Sequence, residues 1–306
     1  MNEILTGNRL AERMQDWDVL DDGTRTQWES LVTRINLPPM YKHAAGSTVD
    51  NFRPKEMAAD IEADPVISGT IIAVANSAKI GLSSPIMTVD RAIVHLGFNL
   101  IVSIISSYQL QQALGSNSRV SREFLDLIRR WSATARTTAL HFFKRASMHD
   151  ANEDAPTVAL LARLGTVILA MSEHPPHSNY ITIPDEPGRL THELKEYGIT
   201  SPQLSGRLVR HWGLPDPIPQ HVDNLWRPVL SELDDTPDNR CLTLLALSVN
   251  LADTYMNYSM VTPEEFLGRG AYAQLAANLE KMGLLGIINE AWESKLMQRE
   301  LEAASY

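Results

Sequence analysis

Histidines and carboxylates are the groups from which this chain could build a reaction centre, and few of them fall at a spacing that does chemistry. His149-Asp150 is a metal-ligand dipeptide by type. It stands in Ser147-Met148-His149-Asp150-Ala151-Asn152, where a turn is expected, and neighbours on a turn hold no ion without partners. His141, His174 and His177 are the candidate partners, and the ordinary state of such loop histidines is exposure. The paired acids Asp234-Asp235 and Glu264-Glu265 sit at helix starts, where capping and the helix dipole explain them better than acid–base catalysis. Asn76-Ser77 reads as a pair that satisfies backbone groups at a helix end, and His95 as a hydrogen-bonded core histidine. Cys241 lies in an apolar run and reads as core rather than nucleophile. There is no Gly-rich phosphate loop, Cys-x-x-Cys, His-Glu-x-x-His or nucleophile elbow.

The elements that would position these residues are helical. Asp64 can cap and Pro65 can open a helix whose apolar face is Ile67, Ile71, Val74 and Ala78, with Gly81 closing it. Thr88 and Asp90 begin the next. A long helix from Ser121 aligns Phe124, Leu127, Ile128, Trp131, Ala135 and Phe142, and Pro156 opens another that runs inward-facing to Met171. His174 to Pro187 reads as an exposed, Pro-rich loop. Ser201-Pro202, Asp216-Pro217, Thr236-Pro237 and Thr262-Pro263 each place a capping side chain before a proline, and Thr262 with Glu265 matches a capping box. Only Tyr180 to Ile183 alternates as a strand would, so the fold class is all-α.

Composition narrows the partners. With 44% hydrophobic and 21% charged residues the 306-residue chain reads as an ordinary soluble protein. A formal charge of −10 disfavours nucleic acid as a partner. The basic cluster Arg122, Arg129, Arg130, Arg136, Lys144 and Arg145 reads as the solvated face of one helix. The single cysteine precludes an internal disulfide, no stretch reads as a signal peptide or a bilayer span, and the expected location is the cytoplasm.

Five motifs occur in order: Leu37-Pro38-Pro39; Asp64-Pro65; Ala75-Asn76-Ser77-Ala78; Ala92-Ile93 with Leu96-Gly97; and His211-Trp212-Gly213-Leu214-Pro215. On these the chain resembles the HDOD family, the HD-related output domain of bacterial signalling proteins. The resemblance implies an N-terminal helical lobe and an HD-like helical lobe related to metal phosphohydrolases. The expected organisation is an N-terminal helical extension (1–30), a first lobe (31–120), a degenerate HD-like lobe (121–260) and C-terminal helices (261–306). The motif residues Asp64, Asn76, Ser77, Gly97 and Trp212 are expected to be structural, with Trp212 pinning a helix end.

The resemblance also implies where metal ligands would stand: a His beside Ser132, a His-Asp pair within Leu160 to Gly165, further His residues, and a final Asp. The sequence has Trp131 at the first, Ala162-Arg163 at the second, Ser201 and Leu225-Trp226 at the next, and retains Asp253. Trp and Ala carry no ligand atom and Arg carries a fixed positive charge. No metal or other cofactor is therefore expected, and Arg163 either pairs with Asp253 or points to solvent. The leading expectation is a non-catalytic signalling protein acting on a protein partner. The alternative is a divergent HD-type metal-dependent phosphohydrolase acting on nucleotides or cyclic dinucleotides. A third reading keeps a pocket in which Arg163, Trp131 and Trp226 hold an anionic or nucleotide ligand. Trp292, Ile288 and Leu296 on the last helices form either a partner surface or a docking face for the chain's own body.

Overall fold

The structure, a computed structural model, describes residues 10, 11, 14, 17, 20–35, 57–58, 61–62, 65–76, 86, 88–97, 100–101, 104–105, 108, 120–148, 152, 154–172, 183, 185–212, 214, 216–258 and 261–305. The expectations for Leu37-Pro38-Pro39, Asp64, Ser77, Gly81, His149-Asp150, His174, His177 and Tyr180 to Thr182 lie outside these residues. Every regular element among the described residues is helical.

Helix α1 (Asp22–Val32) starts on Asp21, whose carboxylate accepts from the Thr24 N–H at 3.0 Å, and turns Trp28, Leu31 and Val32 inward. Helices α2 (Pro65–Ala75) and α3 (Val89–Leu96) pack on each other. Asn76 ties their ends together: its side-chain amide donates to Ile86 O at 2.6 Å, and its oxygen accepts from the Ile86 N–H at 2.7 Å. This reciprocal pair copies a backbone ladder rung with a side chain. Helix α3 stops at Gly97, whose φ of +75° favours glycine. His95, expected in the core, is exposed instead. The buried arc of α3 is Val89, Ala92 and Ile93, and position 95 falls outside it, at the helix's negative end where an imidazole is favourable.

Helix α4 (Arg122–Arg145) is capped by the Ser121 hydroxyl, which accepts from the Phe124 N–H at 3.1 Å. Ile128, Trp131, Ala135, Ala139, Phe142 and Phe143 are buried along it. The run from Pro156 to Met171, which reads as one helix, is two: α5 (Ala155–Leu161) and α6 (Leu164–Ala170), broken at Ala162-Arg163. The Ser205 hydroxyl holds the break by donating to Ala162 O at 2.9 Å and accepting from the Gly165 N–H at 2.7 Å. A Cβ on Gly165 would lie 1.8 Å from Ser201 O, so this crossing of two backbones requires glycine.

Helix α7 (Glu186–Tyr197) begins within the stretch that reads as an exposed loop, because Asp185 caps it by accepting from the Gly188 N–H at 2.8 Å. Helix α8 (Ser201–His211) is capped by Thr200 rather than Ser201; the Gln203 side chain accepts from the Thr200 N–H at 2.9 Å. Trp212 at its end is buried, and its indole donates to Ile35 O at 2.7 Å, fastening α8 to the chain after α1. Then follow α9 (Ile218–Asn224), α10 (Arg227–Leu230), α11 (Pro237–Tyr258), α12 (Pro263–Leu267), a 3-10 turn (Gly270–Tyr272), α13 (Ala273–Lys281), α14 (Leu285–Trp292) and α15 (Lys295–Ser305). The capping box at α12 is present: Glu265 accepts from the Thr262 N–H at 3.0 Å, and the Thr262 hydroxyl from the Glu265 N–H at 3.2 Å.

Helix α4 lies at the centre, against α5, α11, α14 and α15, and one apolar core runs from Trp28 to Leu301. Of the two readings of the last helices, docking on the body is the one observed for Ile288 and Trp292, which are buried, whereas Leu296 is exposed. Four of the six basic residues on α4 face an acid within the chain. Arg129 and Arg130 share Asp126 at 2.8 and 3.1 Å, Arg145 meets Glu290, and half-buried Arg136 faces Glu300. No described helix is long and apolar enough to cross a membrane.

Candidate functional site

The break between α5 and α6 turns the Arg163 side chain into the interior. Its guanidinium donates through Nη1 to both Glu186 oxygens, at 3.0 and 2.9 Å, and through Nη2 to Asp253 Oδ2. Arg189, three residues beyond Glu186 on α7, donates to Glu186 Oε2 at 2.6 Å and also reaches Asp253 Oδ2. The four residues are between 3% and 4% exposed, a closed quartet of two cations and two anions from α6's leading edge, α7 and α11. Trp131 of α4 lies beside it, with the Arg189 guanidinium carbon 6.0 Å from its ring centroid. Tyr272 closes another side; its hydroxyl accepts from the Glu186 N–H at 3.2 Å and its ring stacks against Phe266 at 4.1 Å.

Burial alone would push the Glu186 carboxyl up. The Arg163 and Arg189 guanidiniums outweigh that and hold it at about 2, so it is ionised in the folded protein. Burial pushes the Tyr272 phenol up, keeping it neutral. The quartet therefore carries zero net charge, the condition under which buried ions are tolerated.

Three of the positions assigned to metal ligands by the resemblance thus converge: Trp131, Arg163 and Asp253. The other two are occupied elsewhere. The Ser201 N–H and hydroxyl both donate to the fully buried Glu193 carboxylate, at 2.6 and 2.8 Å. Trp226 packs with Leu10, Ala11, Met14 and Leu190 in a cluster separate from the one holding Trp131, so it is not a stacking face beside Arg163. Glu186 and Arg189 were not singled out by sequence. Their signal was an acid and a base three apart directly after a capping Asp185, hidden by the prolines around it.

A divalent cation does not fit this donor set. Asp253 Oδ1 is the one quartet carboxylate oxygen that is buried without a hydrogen bond among the described residues. One oxygen beside two fixed guanidiniums cannot hold an ion whose charge would raise the buried total to +2. No group of three His, Cys, Asp or Glu side chains suited to a metal occurs among the described residues. His141, the one described candidate partner, lies on α4 and is engaged by Glu300 at 3.0 Å.

Residues 40–228 match the HDOD domain. The chain belongs to the HDOD family. Its fold is shared with solved structures at low identity. A Geobacter sulfurreducens HDOD domain protein with unknown function is 14% identical, with TM-score 0.59 over 90% of this chain and 97% of its own. A chain named for signal transduction, from Marinobacter aquaeolei VT8, is 21% identical, with TM-score 0.58 over 95% and 68%. A chain named as a metal-dependent phosphohydrolase, from Shewanella amazonensis SB2B, is 16% identical, with TM-score 0.59 over 94% and 100%. No curated protein matches the chain in sequence.

Proposed function

We propose that this HDOD protein is a non-catalytic regulatory component of bacterial signalling that works by binding a protein partner in the cytoplasm. The observation that carries the reading is the quartet. Arginine, tryptophan and alanine stand where the resemblance places metal ligands, and both carboxylates nearby are held by guanidiniums. Chemistry on phosphate esters in HD hydrolases needs a cation that activates water and offsets phosphate charge, and this donor set favours neither. The name of the Marinobacter chain agrees with a signalling role. The name of the Shewanella chain supports the runner-up, a metal-dependent phosphohydrolase. An anionic or nucleotide ligand at the quartet is a weaker reading, since it would have to displace a carboxylate from each arginine it engaged.

The test is turnover. Purified full-length protein, supplied in turn with Mg²⁺, Mn²⁺ and Zn²⁺, is assayed against bis-p-nitrophenyl phosphate, nucleotides and cyclic dinucleotides. The expected result is no divalent-dependent hydrolysis. Turnover that is removed both by chelator and by Asp253→Asn would overturn the proposal.

A further inference from the structure

The turn before α5 and the first turn of α11 reach the same side chain of α9. His221 is buried, with Nδ1 3.0 Å from Asp154 Oδ2 and Nε2 3.1 Å from Asp238 Oδ1. An imidazole with a carboxylate on each nitrogen satisfies both only as the imidazolium, because the neutral ring has one N–H and one bare lone pair. The two carboxylates are not equivalent. The Asp154 side chain is 13% exposed and that of Asp238 is 70% exposed. A buried carboxylate that loses its donor has nothing to replace it, whereas an exposed one turns to water at little cost. Asp238 also lies in the first turn of α11, where the helix dipole favours its charge with or without the histidine. The neutral ring therefore keeps its one proton on Nδ1, facing Asp154.

The other ionisable groups on the elements around α9 are engaged, exposed or uncharged. Helix α5 carries none. On α8, Arg207 is held by Glu29 and Arg210 by Asp223 of α9 itself, and His211 is exposed. Near the start of α11, Arg240 is held by Asp235. Burial, and then the Asp154 and Asp238 charges, push the Cys241 thiol up and keep it uncharged. Burial lowers the His221 imidazole, but the Asp154 and Asp238 carboxylates outweigh it and raise the group above 6.5.

We propose that His221 is a proton-operated clasp: as the imidazolium it ties α9 both to the turn before α5 and to the first turn of α11, and on losing a proton it keeps Asp154 and releases Asp238. The contact between α9 and α11 is then set by pH, while the contact between α9 and α5 is not. The proposal goes beyond the regulatory reading and does not depend on it.

The test is NMR on the isotope-labelled full chain from about pH 6 to about pH 9. The His221 ring is expected to carry protons on both nitrogens at the acid end and on Nδ1 alone at the basic end. Amide shifts of residues 238–240 are expected to follow the ring's titration curve. Hydrogen exchange of residues 221–224, corrected for its intrinsic pH dependence, is expected to lose about fivefold or more of its protection across the same curve, as the loss of one charged hydrogen bond requires. Asp238→Asn distinguishes release from general loosening. Its amide oxygen accepts from Nε2–H and its amide nitrogen donates to the bare nitrogen, so the contact persists in both states and protection is expected to hold throughout. A neutral ring protonated on Nε2, a ring that titrates below 6.5, amides 238–240 indifferent to the ring, or an Asp238→Asn variant that loses protection as the wild type does overturns the proposal. Should the variant fail to fold, the wild-type tautomer and amide shifts decide by themselves.

Discussion

Replacing Arg163 by Met removes one of two cations from a quartet that is neutral and closed to water. Glu186 and Asp253 then share Arg189 alone, leaving one net negative charge buried. Removing one partner of a buried ion pair costs about 3–5 kcal/mol, a large part of the roughly 5–15 kcal/mol that holds a typical fold. Scaled by the usual entropy of unfolding per residue, that is a fall in Tm of about 5–8 °C for a chain of this length. Asp253→Leu makes the opposite error, leaving two guanidiniums on Glu186, and has a comparable expected cost. Arg163→Met/Asp253→Leu restores neutrality through the remaining Arg189–Glu186 pair, so its expected loss is well below the sum of the two single losses. Thermal and urea unfolding of the four proteins closes the cycle. The pH dependence adds a second constraint. In the wild type the lowered Glu186 group stabilises the fold above its unfolded value of 4.5 and loses that contribution as pH falls toward about 2. In Arg163→Met one carboxylate is without a counter-charge and takes up a proton more readily, so the gap from wild type narrows between pH 7 and 5. A loss under about 1 kcal/mol for Arg163→Met, single losses that simply add, or a gap independent of pH would refute the reasoning.

Two other perturbations follow from geometry. His221 is buried with Nδ1 3.0 Å from Asp154 and Nε2 3.1 Å from Asp238, an arrangement that needs both ring nitrogens protonated. Burial opposes the charge, but the two carboxylates prevail and the imidazole is raised above 6.5. Its contribution is full below 6.5 and lost as pH rises through the folded value, so Tm falls across that window in the wild type and not in His221→Asn; an NMR titration of His221 locates the window. Gly165→Ala drives a Cβ into the Ser201 carbonyl and is expected to cost about 2 kcal/mol or more by chemical denaturation, since backbone cannot swing aside as a side chain can.

The helical class was legible because apolar spacing and proline-flanked caps repeat along the chain, and the capping box at Thr262 and Glu265 needs only local geometry. The meeting of Arg163 with Asp253 was one of two readings open from sequence, since a retained acid facing a lost ligand set needs a counter-charge. Glu186 and Arg189 were obscured because their role depends on where α7 begins, and prolines on both sides of Asp185 read as loop. His95 misled because an imidazole inside an apolar run looks buried until the helix phase is known. Trp226 was misplaced for a different reason: its surroundings include Leu10, Ala11 and Met14, and no local pattern tells which groove a distant segment will choose.

The family match closes at residue 228, yet the acid that offsets the two arginines is Asp253, and the phenol that lids Glu186 is Tyr272. The interior is therefore not divisible at residue 228, because buried charges on the two sides of it balance one another. A descendant that traded everything after that boundary for another tail would strand two cations against one anion in its own interior. Such an exchange survives only if the incoming tail brings an acid to the same spot, which ties the residues after 228 to those before it.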